Sequence, residues 1–221
     1  MIELILKFLK NAALFLGSFY IFALTALYFF QDSLLFPAPQ VPDKELSSGA
    51  EFLGMKTSDG TVLRHVRLRN IDDSPKIIFF HGNGSLALHE LQRGYELQRA
   101  GFDVLLAEYR GYGGSGGRPT GKLLLSDGLE TYDHFIGNND ARVFLYAHSL
   151  GTGVATHIAS KRNVNGIVLE SPYASLAEVA AGRYPVFPVQ LLFRHEINSL
   201  AAMQNVAAPV LMVHGKRDSV I

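Results

Sequence analysis

Hydrophobic positions along this chain fall into two regimes. Residues 12–30 carry no charge and consist almost entirely of Ala, Leu, Phe, Ile and Tyr. As a helix rising about 1.5 Å per residue, that stretch matches the roughly 30 Å hydrocarbon core of a bilayer. A buried helix of this length in a water-soluble domain shows a polar stripe, and this one has none. A signal peptide has a shorter apolar core followed by a small-residue cleavage site, and none is evident near Phe30. The pattern predicts an uncleaved anchor over residues 1–33. Lys7 and Lys10 precede the span and Asp32 follows it. By the positive-inside rule, the N-terminus is cytoplasmic and the remainder lies outside, which in a bacterium is the periplasm. Residues 34–50, punctuated by Pro37, Pro39 and Pro42, predict a stiff exit from the membrane.

Beyond residue 50, short apolar runs alternate with stretches of helical spacing. Residues 52–56 and 62–68 flank Asp59-Gly60 and predict a hairpin. Residues 76–80, 103–108, 142–146, 166–170 and 209–213 predict further strands, with helices at 86–100, 123–136 and 151–162. Strands that are apolar on both faces and separated by helices predict a mostly parallel sheet covered on both sides. Such sheets bind ligands at the carboxyl ends of their strands. The Gly-rich and polar junctions fall there, at His81-Gly82-Asn83-Gly84, Tyr109-Arg110-Gly111-Tyr112-Gly113, Ser149, Ser171-Pro172-Tyr173 and His214-Gly215-Lys216-Arg217-Asp218.

Of these junctions, the one at Ser149 carries the most chemistry. The run Val143-Phe144-Leu145-Tyr146-Ala147-His148 ends at Ser149, and Leu150-Gly151-Thr152-Gly153 opens a helix. This is the sequence form of a nucleophile elbow, Gly-x-Ser-x-Gly, with Ala147 in place of the first glycine. Small residues are needed because the turn brings strand and helix backbones together. A serine hydroxyl attacks poorly unless a base takes its proton, so the motif also calls for a histidine oriented by an acid.

Composition removes several rivals. The 221 residues hold 20 basic and 20 acidic side chains, and zero net charge argues against a nucleic-acid partner. The absence of cysteine removes disulfides, zinc-thiolate sites and cysteine nucleophiles. No His/Asp/Glu group has ligand-like spacing, so no metal is expected. Mean hydropathy is +0.15, high for a soluble domain and in keeping with an anchor. Gly111-Tyr112-Gly113-Gly114-Ser115-Gly116 satisfies the dinucleotide fingerprint, yet Arg118-Pro119-Thr120-Gly121 stands where that motif needs a helix start. Glu130 and Asp133, at the distance of the ribose-binding acid, fall inside a predicted helix. No cofactor is expected.

Taken together, the five junctions resemble the α/β-hydrolase superfamily, specifically its membrane-anchored serine hydrolases of the α/β-hydrolase-domain type, over residues 34–221. The resemblance implies an α/β-hydrolase fold preceded by one transmembrane helix, with the hydrolase domain at 51–221 and a short cap at about 173–208. It implies Ser149 as nucleophile, Asp218 as the acid, and the backbone N–H groups of Leu150 and Asn83 as the oxyanion hole. The expected reaction is cleavage of a small-molecule ester or thioester, including lipid and acyl substrates, through an acyl-enzyme.

One element of the pattern has no match. The family's catalytic histidine follows a further strand, and only three residues follow Asp218 here. His214 belongs to the strand-end motif, His81 to the oxyanion loop, and His148 adjoins the nucleophile where it cannot turn back. His65, His89, His134, His157 and His195 have no motif context. The expectation is therefore the front part of a longer hydrolase, its domain incomplete at the C-terminal end and inactive in these 221 residues. The rival reading is a catalytically dead, membrane-anchored binding or scaffold protein, and a peptidase ranks lower. Oligomeric state is not legible.

Overall fold

The structure is a computed structural model describing residues 1–41, 46, 49–71, 73–137 and 141–218. Residues 42–45 and 47–48 of the linker expected at 34–50, and the terminal Ser219-Val220-Ile221, lie outside these residues.

The apolar N-terminal stretch forms one helix of 34 residues, α1 (Ile2–Leu35), about 51 Å long. It is long and apolar enough to cross a membrane, and its large side chains point outward over most of its length. This helix puts the chain at a membrane. It stops at Phe36 because Pro37 follows, and a residue before proline is driven out of the helical region. Phe36 takes φ −123° and ψ 86° and is buried.

The strands are β1 (Glu51–Lys56), β2 (Val62–Leu68), β3 (Lys76–Phe80), β4 (Asp103–Ala107), β5 (Val143–His148), β6 (Gly166–Glu170) and β7 (Val210–Val213). They form one sheet in the order β1-β2-β4-β3-β5-β6-β7. β2 pairs antiparallel with β1 and β4, whereas β3 to β7 are mutually parallel. All five residues of β4 are buried, as are four of the five in β3, as two-sided apolar runs require. Alternation divides them: Ile78, Phe80, Leu105 and Ala107 enter one core, and Ile77, Phe79, Val104 and Leu106 the other.

Helices α2 (Leu91–Arg99), α3 (Gly121–Ile136) and α4 (Leu150–Ala159) cover the sheet. The stretch 86–100, expected as one helix, begins instead with a 3₁₀ turn at Ala87–Glu90. Leu86 is extended, the Ala87 N–H donates to the Glu108 carboxylate, and regular helix starts at Leu91. Residues 173–208 hold three short helices, α5 (Leu176–Arg183), α6 (Val189–Leu192) and α7 (Ser199–Met203). α5 opens on Ser175, whose hydroxyl accepts from the Glu178 N–H, the serine half of a capping box. All four side chains of β7, the last strand in the sheet, are exposed.

Candidate active site

The register sets five strand ends level at one edge. Phe80 pairs with both Ala107 and Ala147, His148 with Glu170, and Glu170 with Val213. Every polar junction of the sequence therefore leaves the sheet on the same side.

Ser149 makes the turn from β5 into α4 with φ 48° and ψ −117°. A non-glycine residue there is strained by on the order of 1–3 kcal/mol, so its surroundings must enforce it. They do: the Ser149 N–H donates to Glu170 O (2.9 Å) and Ser149 O accepts from Thr152 N (2.9 Å). The second glycine of the elbow explains itself, because a Cβ on Gly151 would lie 2.3 Å from Phe80 O. α4 thus crosses directly over the end of β3. Ser149 Oγ has no hydrogen-bond partner among the described residues and is partly exposed. The Leu150 N–H heads the first turn of α4, where helix N–H groups lack intrahelical acceptors and the dipole favours negative charge.

The loop after β3 passes over this turn. A Cβ on Gly82 would lie 3.4 Å from Ser149 Cβ and 2.8 Å from His148 Nδ1, so the His148 ring rests against that loop. The next residue, Asn83, fixes its side chain at both ends. Its Oδ1 accepts from Tyr112 Oη (2.9 Å), and its Nδ2 donates to Leu35 O at the end of α1 (2.6 Å). Its backbone N–H makes no hydrogen bond among the described residues.

A buried carboxylate holds the loop from below. Glu108, at the end of β4, accepts from His81 Nε2 (2.8 Å), the Ala87 N–H (3.0 Å) and the Tyr109 N–H (3.2 Å). His81 Nδ1 in turn lies 2.8 Å from Gly82 O, and Tyr109 Oη donates to His81 O (2.7 Å). His81 and Glu108 are both buried. The sequence placed His81 in the oxyanion motif but gave no partner for it. Glu108, Tyr109 and Tyr112 were missed as supports, and the one available signal was a carboxylate closing an otherwise apolar strand.

The neighbouring His65 is buried on β2, and its Nδ1 accepts from the Glu108 N–H (3.0 Å). Burial pushes its pKa down to about 3, with a smaller contribution from His134. The unfolded ring titrates near 6.5, so stability is full above that pH and is lost as pH falls toward 3. Near pH 4.5 the expected loss is about 2–3 kcal/mol. Urea unfolding near pH 7.5 and pH 4.5 checks this, and His65→Gln should remove most of the difference. Equal acid sensitivity in both proteins would count against it.

The stretch following α1, read as an exit from the membrane, is docked on the domain. Gly113 N donates to Pro39 O (3.0 Å), Gln40 Nε2 donates to Gly111 O (2.5 Å), and Pro37 touches the Gly84 position. Arg110, buried beside this loop, forks onto Asp127 through Nε (2.6 Å) and Nη2 (2.5 Å) and also meets Asp59 (2.9 Å). The Asp127 contacts hold its guanidinium above its already high ordinary pKa.

Asp218 follows β7 on the edge that carries Ser149, two strands away, with Oδ2 3.5 Å from His214 Nε2. All eight histidines are described, and none hydrogen-bonds Ser149. His195, which had no motif context, accepts from Gly121 N through Nδ1 (3.2 Å) and meets Asp32 of α1 through Nε2 (2.9 Å). Burial pushes its pKa down, in keeping with the accepting nitrogen. Among the described residues no His/Asp/Glu cluster is arranged to hold a metal.

The chain matches the serine aminopeptidase, S33, family of hydrolases over residues 73–195, more than half its length. A protein of Mycobacterium tuberculosis is 35% identical over 150 residues, 66% of this chain and 53% of that one. The human protein ABHD12B is 30% identical, covering 68% and 47%, and the rat lysophosphatidylserine lipase ABHD12 is 29% identical, covering 66% and 42%. The chain thus spans about half the length of these curated relatives. An esterase of Pyrococcus furiosus superposes with a TM-score of 0.67 at 24% identity, over 83% of this chain and 79% of that one, so the fold is shared. The strained serine between β5 and α4, the parallel sheet and the family match agree: this chain belongs to the serine aminopeptidase, S33, family within the α/β-hydrolase superfamily.

Proposed function

We propose that the site hydrolyses a carboxylic ester of a lipid, with Ser149 as the nucleophile. The observation that carries this reading is the strained Ser149 backbone, φ 48°, at the carboxyl edge of the sheet, with no hydrogen bond to Oγ among the described residues. Oγ attacks the carbonyl carbon as a base takes its proton, the carbonyl oxygen takes the electron pair, and the N–H groups of Leu150 and Asn83 receive that oxyanion. Collapse breaks the ester C–O bond, the departing oxygen takes the proton from the base and leaves as the alcohol, and water, deprotonated by the same base, then releases the acyl group as an acid and returns the proton to Ser149 Oγ. Each oxyanion donor contributes about 3–4 kcal/mol in well-measured cases. The lipid as substrate is supported by the apolar α1 and by relatives named as lysophosphatidylserine lipases. Asp218 serves as the acid that orients a base.

No histidine hydrogen-bonds Ser149 among the described residues, so on this reading the base has to be supplied from elsewhere. A fluorophosphonate probe tests both halves of the reading. Labelling of the 221-residue chain should be weak, should rise with added imidazole acting as an external base, and should vanish in Ser149→Ala. Labelling that survives this substitution removes Ser149 from the role, and a wild-type chain inert even with imidazole favours a binding protein.

The two lysines before the apolar span put the N-terminus in the cytoplasm and the sheet domain outside. Because the chain has no cysteine, single cysteines at Ser33 and Glu3 report the sides. An impermeant maleimide applied to intact cells should reach the first and not the second.

A further inference from the structure

The cap and α1 hold one another at two points, with an apolar cavity between. Near the domain, Gln31 Nε2 donates to Leu192 O (3.3 Å), and Gln31 Oε1 accepts from the Arg194 N–H (2.9 Å). Asp32 meets Arg194 and His195 at the same end, each at 2.9 Å. Further toward the N-terminus, Tyr20 Oη donates to Val186 O (3.0 Å), and the Tyr20 ring stacks on Phe187 with centroids 5.5 Å apart. Tyr20 and Gln31 are about 16 Å apart along the helix. Leu24, Leu27 and Leu35 form one wall of the cavity, and Ala180, Phe187 and Leu192 the other. No charged side chain lines it among the described residues.

We propose that this cavity binds one acyl chain of a membrane lipid ester, entered sideways from the bilayer, with the anchor helix as a wall of the substrate site. This deepens the hydrolase reading at Ser149 and rests on it for the chemistry. Three observations select the ligand. First, a peptide would bring a backbone N–H and C=O at every residue, whereas the polar side chains of the lining are only Gln31, spent on Leu192 O and the Arg194 N–H, and the tyrosines Tyr28 and Tyr184. A hydrocarbon chain brings none. Second, Tyr20, Leu24 and Leu27 lie within the uncharged stretch 12–30, so this part of the wall sits at hydrocarbon depth. Val186 and Leu191 of the cap are 71% and 85% exposed, which suits lipid contact and not water. A chain can pass from bilayer to cavity without leaving apolar surroundings. Third, the cavity abuts the candidate catalytic centre. Leu35 lines it and its carbonyl accepts from Asn83 Nδ2, while Leu35 and Phe193 pack against the buried cluster that includes Leu150.

The test uses the full chain in phosphatidylcholine nanodiscs and a monoacyl phospholipid carrying a diazirine near the end of a palmitoyl chain. After irradiation, cross-linked peptides are mapped by mass spectrometry, and fluorophosphonate labelling of Ser149 with imidazole is followed in a parallel sample. The proposal expects cross-links in residues 180–193 as well as in 24–35. Leu27→Trp and Ala180→Phe, which fill the cavity from opposite walls, should each reduce the 180–193 cross-link about tenfold. Phe8→Trp, on the exposed far part of α1, should not change it. Cross-links confined to α1, or cap cross-links indifferent to both filling substitutions, overturn the acyl site. Ser149 labelling without cap cross-links therefore sinks this inference alone. Cap cross-links without Ser149 labelling sustain the site and sink the hydrolase.

Discussion

Glu108→Ala is expected to destabilise the protein by about 3–5 kcal/mol, a large part of the 5–15 kcal/mol typical of a domain. The substitution strips the acceptor from His81 Nε2 and from the N–H groups of Ala87 and Tyr109, all in a region that excludes water. A buried donor left without a partner costs its full desolvation, and three are left at once. Glu108→Gln keeps the shape and one acceptor oxygen, so its loss should be smaller. The damage should also reach the chemistry, because the same carboxylate anchors the start and the far end of the loop that carries Asn83. Urea unfolding of detergent-solubilised protein measures the stability, and the rate of fluorophosphonate labelling with imidazole measures the loop. A loss under about 1 kcal/mol would show that water enters and replaces the carboxylate.

Asp127→Ala should be comparably severe, again about 3–5 kcal/mol, for a different reason. It leaves the Arg110 guanidinium buried with only the more exposed Asp59 for company. Arg110 cannot escape by losing its proton. Replacing both partners by apolar residues, as in Arg110→Met with Asp127→Leu, should cost less than Asp127→Ala alone, since no uncompensated charge remains. Denaturant midpoints of the single and double variants decide the matter, and a double variant worse than Asp127→Ala would refute it.

Both carboxylates bear on how much of this molecule was legible in its sequence. The strands were, because two-sided apolar runs such as Ile77-Ile78-Phe79-Phe80 leave few alternatives. The turn at Ser149 was, because its chemistry is local: a strand, a serine and small residues within a few positions. The pairing of His81 with Glu108 joins residues on separate strands, and no local pattern announces it. Glu108 reads in sequence as an ordinary polar strand end, and only the level register of β3 and β4 turns it into a support for the next loop. The same carboxylate caps the leading N–H of the 3₁₀ turn at Ala87–Glu90, another contact no local pattern announces. His195 had no motif because its partners, Asp32 and Gly121, come from the anchor and from α3. The contact between α1 and residues 186–195 was likewise invisible, as an apolar run does not say which of its sides faces protein.

The two borders of the sheet are unlike. β1 begins at Glu51, which pairs with Arg69, and ends at Lys56, so charges stand at both tips of that strand. β7 presents Val210, Leu211, Met212 and Val213 with no charge among them and all of them exposed. Charges at the tips of a strand discourage a further strand from adding to it, so the β1 border is guarded against growth.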